Sequence, residues 1–415
     1  MGFKKILFIS PTGTFDNGAE ISIYYLMKYL VDTGHQVINV APQFHHENQA
    51  KYFDRYQASG IDTRFIQALK WWWEEAPGAL PATEEERAFF YRENIQEIRK
   101  IIQEEQIELV ITNTVNMFQG AVAAACEEIP HYWFIHEFPE NEFAYYRSKI
   151  DLISELSDEL YSVTGNLQKE LQELFPLREI KSFAPFTKVD TEPLKKGTKR
   201  RIVSVGRLTE RKNQLELIKA YAQINQPEIE LLFIGAWDDA YKEQCLAYIK
   251  QHKLTNITFT GNLANPWAEI TDQDICVFPS ALETYGLVYV ESVLKGIPTI
   301  LSDNPGHLSA YELFEIGSLY PSGDSVALAN TIAEVLKNFS QEKEFAQKNK
   351  LIATEKYSVQ QVYREILDDI QLETTGELKP IRHLANLVST NEKQSRLGRA
   401  EKKARRIYHK IRARF

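Results

Sequence analysis

Buried-strand patterns alternate with helical patterns through most of this 415-residue chain, and this alternation constrains the fold more than any other feature. Short runs rich in Ile, Val, Leu and Phe have the length of strands buried on both faces, and amphipathic segments separate them. The strand candidates are 5–10, 37–41, 62–66, 108–112, 131–135, 159–163, 201–205, 230–234, 256–260, 274–278, 298–302 and 317–320, and helical patterns include 19–31, 324–337 and 341–370. The alternation predicts an α/β protein with parallel, doubly wound sheets.

The two series of strands are separated by a polar, lysine-rich stretch at 191–200. We therefore predict two Rossmann-like domains, 1–190 and 191–370, followed by a linker and a basic amphipathic tail at 371–415. The last helix of the second series is a candidate to cross back to the first domain. Because ligands of such folds bind at the carboxyl ends of the strands, the cleft between the domains is the expected site.

Charge is distributed unevenly along the chain, whose net charge is −9. From Lys393 to Phe415 there are ten Lys or Arg and one Glu, a net of +9, so residues 1–392 carry −18. An acidic body argues against nucleic-acid binding, whereas a basic tail indicates an anionic partner. Apolar residues recur in the tail at helical spacing, which favours an anionic membrane surface over a solvated or nucleic-acid-binding tail. They are Leu397, Ala400, Ala404, Ile407, Tyr408, Ile411 and Phe415.

The three cysteines show no metal-ligand or disulfide spacing, which is typical of a reducing compartment. No apolar run reaches the ~18 residues that span a bilayer. We therefore expect a cytoplasmic protein, with the tail as a candidate for peripheral attachment to the inner face of the plasma membrane.

The strongest chemical signal is a pair of acids, Glu283 and Glu291, with seven residues between them. They follow a strand and flank the start of a helix at about Gly286, so both carboxylates can face one cleft. The free amides and the dipole of that helix start suit a diphosphate. Two solvated acids beside a capped helix are the alternative, and the strand–loop–glycine–helix context argues against it.

A second signal lies at the carboxyl end of the second domain's first strand, in Gly206-Arg207-Leu-Thr-Glu-Arg-Lys212. Gly206 permits a tight turn, and Arg207 and Lys212 place two cations beside a helix start. This arrangement would neutralise a pyrophosphate and the charge that grows on it as it leaves. Taken alone, the two cations would be interpreted as surface charges.

From Lys4 to about Ile370 the chain resembles the family 4 (group 1) glycosyltransferases, which have the GT-B fold of two facing Rossmann-like domains. The resemblance is closest over Ser204–Asn213 and over Phe278–Ser302. It implies a retaining, metal-independent transferase that uses a nucleotide-diphosphate sugar, most often a UDP-sugar, and needs no cofactor. The acceptor would be a glycan, a lipid-linked glycan or a protein-linked glycan of cell-surface polysaccharide or glycoconjugate synthesis.

The resemblance also assigns roles. Arg207 and Lys212 would bind the donor diphosphate, Glu283 the hydroxyls of the donor sugar and Glu291 the ribose. Amides of the helix start and two glycines would hold phosphate or sugar oxygens; these residues are Gly18, Gly206, Tyr285, Gly286 and Leu287. We count Glu283, His136, Arg207 and Lys212 as the catalytic candidates.

The first domain departs from the family at Asn17, which replaces the first glycine of its Gly-Gly-Ala-Glu loop, and again at Pro305-Gly306-His307. His136, at the end of a strand, resembles the family histidine beside the reacting sugar, although a structural histidine is equally compatible. Asn17 and the run Trp71-Trp72-Trp73 are candidates for acceptor binding, and a buried hydrophobic anchor is the equal alternative for the tryptophans.

Asp272-Gln-Asp274 is formally the metal-binding signature of a different glycosyltransferase architecture. Because it precedes a buried strand, we interpret it as a turn and expect no metal. Two rival functions remain: a nucleotide-sugar epimerase of the same fold, and a non-catalytic partner subunit. The chain has all four charged residues expected of the donor site, which favours an active transferase. They are Arg207, Lys212, Glu283 and Glu291.

Overall fold

The computed structural model describes residues 2–43, 47–72, 83–190, 192–224, 226–372 and 379. We call the first of its two sheets, with the helices that cover it, the N-lobe, and the second the C-lobe. The N-lobe contains a seven-stranded parallel sheet in the order β3-β2-β1-β4-β5-β6-β7. The strands are β1 (Lys5–Ile9), β2 (Gln36–Pro42), β3 (Asp62–Ile66), β4 (Leu109–Asn113), β5 (His131–Ile135), β6 (Glu159–Val163) and β7 (Ile180–Phe183). The helices are α1 (Gly18–Asp32), α2 (Glu47–Ala58), α3 (Glu84–Glu105), α4 (Gln119–Cys126), α5 (Ile150–Leu156) and α6 (Asn166–Leu174).

The C-lobe contains a six-stranded parallel sheet in the order β10-β9-β8-β11-β12-β13. Its strands are β8 (Arg201–Val205), β9 (Glu230–Ile234), β10 (Ile257–Phe259), β11 (Asp274–Phe278), β12 (Thr299–Ser302) and β13 (Ser318–Tyr320). Its helices are α7 (Gln214–Ile224), α8 (Asp239–Gln251), α9 (Leu287–Lys295), α10 (Pro305–Phe314), α11 (Ser325–Lys337) and α12 (Phe339–Lys356), followed by α13 (Val359–Val362) and α14 (Arg364–Gln371). Both sheets reverse their strand order beside the first strand, and such a switch point opens a crevice at the carboxyl ends. The predicted fold class is confirmed.

The described strands match the predicted ones to within one residue at each end, with two differences elsewhere. Strand β7 was not predicted, because it has only four residues and the two in the middle, Lys181 and Ser182, are polar and partly buried. The predicted helix over 341–370 is wrong. The chain leaves helical geometry at Tyr357, and Ser358 caps a new helix by accepting a hydrogen bond from the N–H of Gln361. No helix of the described ranges is long and apolar enough to cross a membrane.

The chain returns from the C-lobe to the N-lobe through α13 and α14, and α14 packs against β7. Asp369 on α14 accepts hydrogen bonds from the Tyr161 hydroxyl and from Lys181 Nζ, the latter at 2.7 Å. The Tyr363 hydroxyl donates to the carbonyl oxygen of Ser22 on α1 over 2.8 Å. These polar contacts, made at the rim of an apolar interface, fix the last helices to the N-lobe.

Replacing Asp369 with Ala is expected to destabilise the protein by about 1–3 kcal/mol, because the buried Tyr161 hydroxyl and the Lys181 ammonium then lose a charged acceptor. Urea unfolding, followed by the midpoint at an unchanged slope, measures the loss. Asp368→Ala, one position along on an exposed side chain, is the matched control and should change stability by less than about 0.5 kcal/mol. Equal midpoints for the two variants would contradict this account.

Candidate functional site

The lobes meet along the carboxyl edges of their sheets, where the first turn of α1 faces the first turn of α9. A Cβ placed on Gly18 would lie 3.1 Å from Leu287 Cδ1, so the two loops are in close contact. Asn17 has an extended backbone, with φ −129° and ψ 157°, and therefore does not need the glycine found in the resembling family. Its side chain caps α1 by accepting a hydrogen bond from the N–H of Glu20 at 2.9 Å. The predicted acceptor role of Asn17 stays a prediction.

Glu283 lies at the centre of the C-lobe side of the cleft, on the loop between β11 and α9. Its carboxylate is 2.5 Å from Lys212 Nζ and 2.9 Å from Arg211 Nη1, and the Ser280 hydroxyl donates to Oε1 at 2.8 Å. Burial acts to raise the pKa of this carboxyl, but the charges of Lys212 and Arg211 outweigh it and hold the pKa at about 2. Glu283 is therefore an ionised, firmly held hydrogen-bond acceptor.

The loop after β8 brings Lys212 to this carboxylate, as the sequence predicted for two residues of one site. Gly206 adopts a φ of +143°, which the tight turn requires. The Arg207 side chain is exposed and makes no hydrogen bond or ion pair within the described residues. Arg211 was not predicted, because nothing in the spacing distinguishes it from any surface cation next to Lys212. The loop thus presents one free cation and two paired ones.

Gly286 precedes α9 in the left-handed region with φ +84°. The N–H groups of Tyr289 and Val290 already donate to the carbonyl of Gly286, so the N–H groups of Leu287 and Val288 are the ones left for a ligand. Such an N-terminus favours an anion at this point of the cleft. Leu287 is the first residue of the helix, and its side chain is only partly buried. The Tyr285 side chain is 2% exposed and packs into the core, so only its backbone can face a ligand.

Helix α10 packs against the loop that carries Glu283. A Cβ on Gly306 would lie 2.1 Å from the carbonyl oxygen of Glu283, and one on Gly286 would lie 2.6 Å from His307 Cδ2. Asn304 caps α10 by accepting the N–H groups of Gly306 and His307, both at 3.1 Å. Burial lowers the pKa of His307 to about 4, so this ring is neutral. At Pro305-Gly306-His307, where the sequence departs from the family, the glycine is therefore required by a close contact with the backbone of Glu283.

Glu291 on α9 is engaged at both carboxylate oxygens. It accepts a hydrogen bond from the Thr187 hydroxyl at 2.6 Å and from Trp267 Nε1 at 2.9 Å. Burial raises the pKa of this carboxyl. Since each carboxylate oxygen accepts two hydrogen bonds, capacity for a ribose hydroxyl remains. Thr187 belongs to the end of the N-lobe, so Glu291 also links the lobes, a role that the sequence pattern did not indicate.

His136 ends β5 on the N-lobe side of the cleft and is 7% exposed. Its Nε2–H donates to Asn113 Oδ1 at 2.7 Å, and the ring meets Phe183 edge to face. Burial lowers the pKa of His136 to about 3, so the ring is neutral at physiological pH. A neutral imidazole can donate or accept a hydrogen bond but does not supply a positive charge.

The three consecutive tryptophans have different environments. Trp71 is 8% exposed, packs on Phe118 and donates its backbone N–H to Asn116, which favours the hydrophobic-anchor interpretation for this residue. Trp72 is partly buried, with Lys70 Nζ 5.3 Å from the centre of its ring. Trp73 lies outside the described residues. An acceptor role for the run stays a prediction.

The two acids of the formal metal signature are both engaged by cations and amides. Asp272 pairs with Lys343 at 3.1 Å and accepts the N–H of Gly197 at 2.9 Å. Asp274 pairs with Arg201 at 2.7 Å at the start of β11. Over the described ranges, no three His, Cys, Asp or Glu side chains form a group that would hold a metal ion.

Comparison with known proteins gives the class of this molecule. Residues 16–183 match the family described as Glycosyltransferase Family 4, and residues 186–351 match Glycosyl transferases group 1. The chain belongs to these glycosyltransferases, with the GT-B fold. It is 19% identical to Anabaena HepE, solved with UDP and glucose, over 88% of this chain and 99% of that one, with a TM-score of 0.69. Staphylococcus aureus TarM gives a TM-score of 0.70 at 12% identity over 89% and 100% of the two chains.

Curated relatives match over shorter stretches. A phosphatidyl-myo-inositol mannosyltransferase of Mycobacterium leprae is 28% identical over 143 residues, which are 33% of this chain and 37% of the relative. A Campylobacter jejuni N-acetylgalactosaminyltransferase named for a diphospho-undecaprenol acceptor is 31% identical over 114 residues, 27% and 30% of the two chains. The matched stretch thus spans well under half of either relative.

Replacing Lys212 with Met is expected to raise the pKa of Glu283 from about 2, because the largest of the charges that oppose the effect of burial is then lost. Carbon-13 NMR of labelled glutamate carboxyls measures the change, with exposed Lys348→Met as the control.

The depressed pKa of Glu283 stabilises the native state at pH values above the unfolded-state pKa of about 4.3, and this contribution is lost as pH falls toward about 2. Wild type should therefore lose more stability over that interval than the variant. An unchanged Glu283 titration would contradict the assignment.

Proposed function

We propose that this protein is a retaining glycosyltransferase that moves a sugar from a nucleotide-diphosphate sugar to a glycan or lipid-linked glycan acceptor. The observation that carries the proposal is the contact between Lys212 and Glu283 beside the start of α9. One group suits a phosphate, the other suits sugar hydroxyls, and their separation of 2.5 Å fits adjacent parts of one donor. The UDP complex of HepE supports UDP as the nucleotide.

In the proposed reaction the donor diphosphate lies against Arg207, Lys212 and the first amides of α9. The bond between the anomeric carbon and phosphate oxygen breaks, and the cations stabilise the charge that develops on the leaving diphosphate. The acceptor hydroxyl adds on the same face and passes its proton to the departing diphosphate oxygen, so the configuration is retained. Since these groups provide the positive charge, we propose that the reaction needs neither metal nor cofactor.

Glu283 is not assigned as a nucleophile in this mechanism. A carboxylate with a pKa of about 2, held between two cations, is a weak nucleophile because its charge is already engaged. It suits hydrogen bonds to sugar hydroxyls, which it can accept without leaving Lys212. His136, neutral at the end of β5, would face the reacting sugar from the opposite lobe.

Donor binding is tested by thermal unfolding with a panel of UDP-, GDP-, ADP- and TDP-sugars. A donor at ~100 times its dissociation constant should stabilise the protein by about 2.7 kcal/mol. Arg207→Ala should lose most of this stabilisation and lower transfer by about 100-fold, because an exposed cation without a protein partner is available only to the ligand. Lys348→Ala, an exposed cation on α12, is the control.

If no nucleotide sugar stabilises the wild-type protein, the transferase proposal fails and a non-catalytic partner subunit becomes the better account. If a donor is converted without any acceptor into an epimer, the epimerase account replaces it. Little change in transfer by Arg207→Ala under saturating donor would instead reject the site assignment alone.

We further propose that the tail at 393–415 holds the protein on the anionic inner face of a membrane. The proposal rests on its ten Lys or Arg and its apolar spacing in the sequence, since the tail lies outside the described residues. Two relatives are named for lipid acceptors, one for phosphatidyl-myo-inositol and one for a diphospho-undecaprenol-linked sugar, and such acceptors are consistent with a membrane location. The catalytic lobes would then face acceptors presented at that surface.

Removing residues 393–415 is expected to abolish co-sedimentation with phosphatidylglycerol vesicles, because each basic residue near such a surface contributes about 1 kcal/mol of attraction. Neutral phosphatidylcholine vesicles are the control and should retain neither form. Donor stabilisation should be unchanged by the truncation. Equal sedimentation of both forms with the anionic vesicles would contradict the proposal.

A further inference from the structure

Glu137 follows His136 at the carboxyl end of β5 and lies on the N-lobe side of the cleft. The side chain is partly buried, and its Oε2 accepts the N–H groups of Val115 at 3.3 Å and His136 at 3.1 Å. These two bonds connect the ends of β4 and β5 and fix the direction of the carboxylate. The backbone N–H of Glu137 itself also lies within reach of the carboxylate. No side chain of the described residues donates a hydrogen bond to it.

Three side-chain donors near this carboxylate donate to other acceptors. The Tyr146 hydroxyl donates to the backbone carbonyl of Glu137, and the Tyr145 hydroxyl donates to that of Val115, each at 2.7 Å. His136 Nε2–H is taken by Asn113 at 2.7 Å. The described residues therefore hold an oriented carboxylate at the cleft with backbone N–H groups alone, and no side chain among them donates to it.

An unfilled acceptor lies nearby in the sequence, on the loop after β4. Asn116 directly follows Val115, and its Oδ1 is buried without a hydrogen-bond partner within the described residues. Its backbone is fully used, since its carbonyl accepts the N–H of Trp71 at 2.7 Å. Buried acceptors that lack partners are uncommon in folded proteins, and a bound water or ligand is one way in which such an acceptor is satisfied.

We propose that Glu137 binds the acceptor by receiving a hydrogen bond from one of its hydroxyls, and that the acceptor's reacting end is a neutral, hydroxyl-rich sugar. This inference rests on the proposed transferase function and specifies its acceptor side. A carboxylate without a paired cation attracts hydroxyl donors and repels phosphate or carboxylate groups. Any charged part of a lipid-linked acceptor would therefore lie away from this point.

The ionisation of Glu137 gives the proposal a pH signature. Burial raises its pKa to about 7, against the backbone amides that lower it, and the charge of Glu142 raises it further. The other titratable groups that face it do not change charge near neutrality: burial lowers the pKa of His136 to about 3 and raises those of Tyr145 and Tyr146 above their ordinary value. Acceptor binding should therefore strengthen as pH rises through about 7.

The test is an array of immobilised neutral oligosaccharides and uronate- or phosphate-bearing ones, probed with the full chain in the presence of UDP. Wild type should retain neutral glycans, about tenfold more tightly at about pH 8 than at about pH 6, as the ionised fraction of a group with pKa near 7 requires. Glu137→Gln keeps the shape of the side chain but replaces one carboxylate oxygen, an acceptor, with an amide NH₂ group, a donor. It should lose about tenfold in affinity at the higher pH, lose the pH dependence, and keep UDP stabilisation.

Glu142→Gln is the matched control on an exposed neighbour. Removing its charge should move the pH dependence to lower pH while leaving affinity unchanged where Glu137 is already ionised. Retention of only anionic glycans, retention of none, or a Glu137→Gln variant that behaves like wild type would overturn the inference. If UDP stabilises the protein in those cases, the transferase proposal survives; if no nucleotide sugar does, the failure belongs to that proposal.

Discussion

The Glu283 carboxylate, held between Lys212 and Arg211, is the interaction on which the candidate donor site depends. It joins the loop after β8 to the loop before α9, which come from different parts of the chain. A buried carboxylate with no cation would be costly, whereas here two cations meet one anion and leave an excess positive charge. With the free guanidinium of Arg207, the site has a net attraction for an anion before any ligand arrives.

The geometry of this pair is set by backbone contacts that exclude side chains. Gly306 packs directly against the carbonyl of Glu283, and Gly286 packs against the His307 ring, so neither position has space for a Cβ. A close-packed contact of this kind cannot be adjusted by a rotamer change, which makes the position of the loop insensitive to thermal motion of side chains. The neutral His307 fills the space below the loop without adding a charge that would compete with Lys212.

Much of the architecture could be predicted from the sequence, because strands of buried parallel sheets leave apolar runs whose length and punctuation are local signals. Strand β7 was missed because two polar residues interrupt its short apolar run, and the break at Tyr357 was missed because one apolar period continues across it. Within the site, Lys212, Glu283 and Glu291 were predicted from spacing and a family resemblance. Thr187, Trp267, Arg211 and Glu137 could not be, since each gains its partner only when distant segments meet, and no spacing rule encodes that contact.

The same elements that form the candidate donor site also fix the relative position of the lobes. Glu291 on α9 accepts a hydrogen bond from Thr187 of the N-lobe, and α10, which supports the Glu283 loop, contacts α6. There Asn166 donates its Nδ2–H to the carbonyl of Pro305 at 2.8 Å. If α9 or α10 shifted on donor binding, these contacts between the lobes would change as well, because packed helices move as rigid units. The acceptor side, built on β4 and β5, would then be positioned by the same contacts that hold the donor.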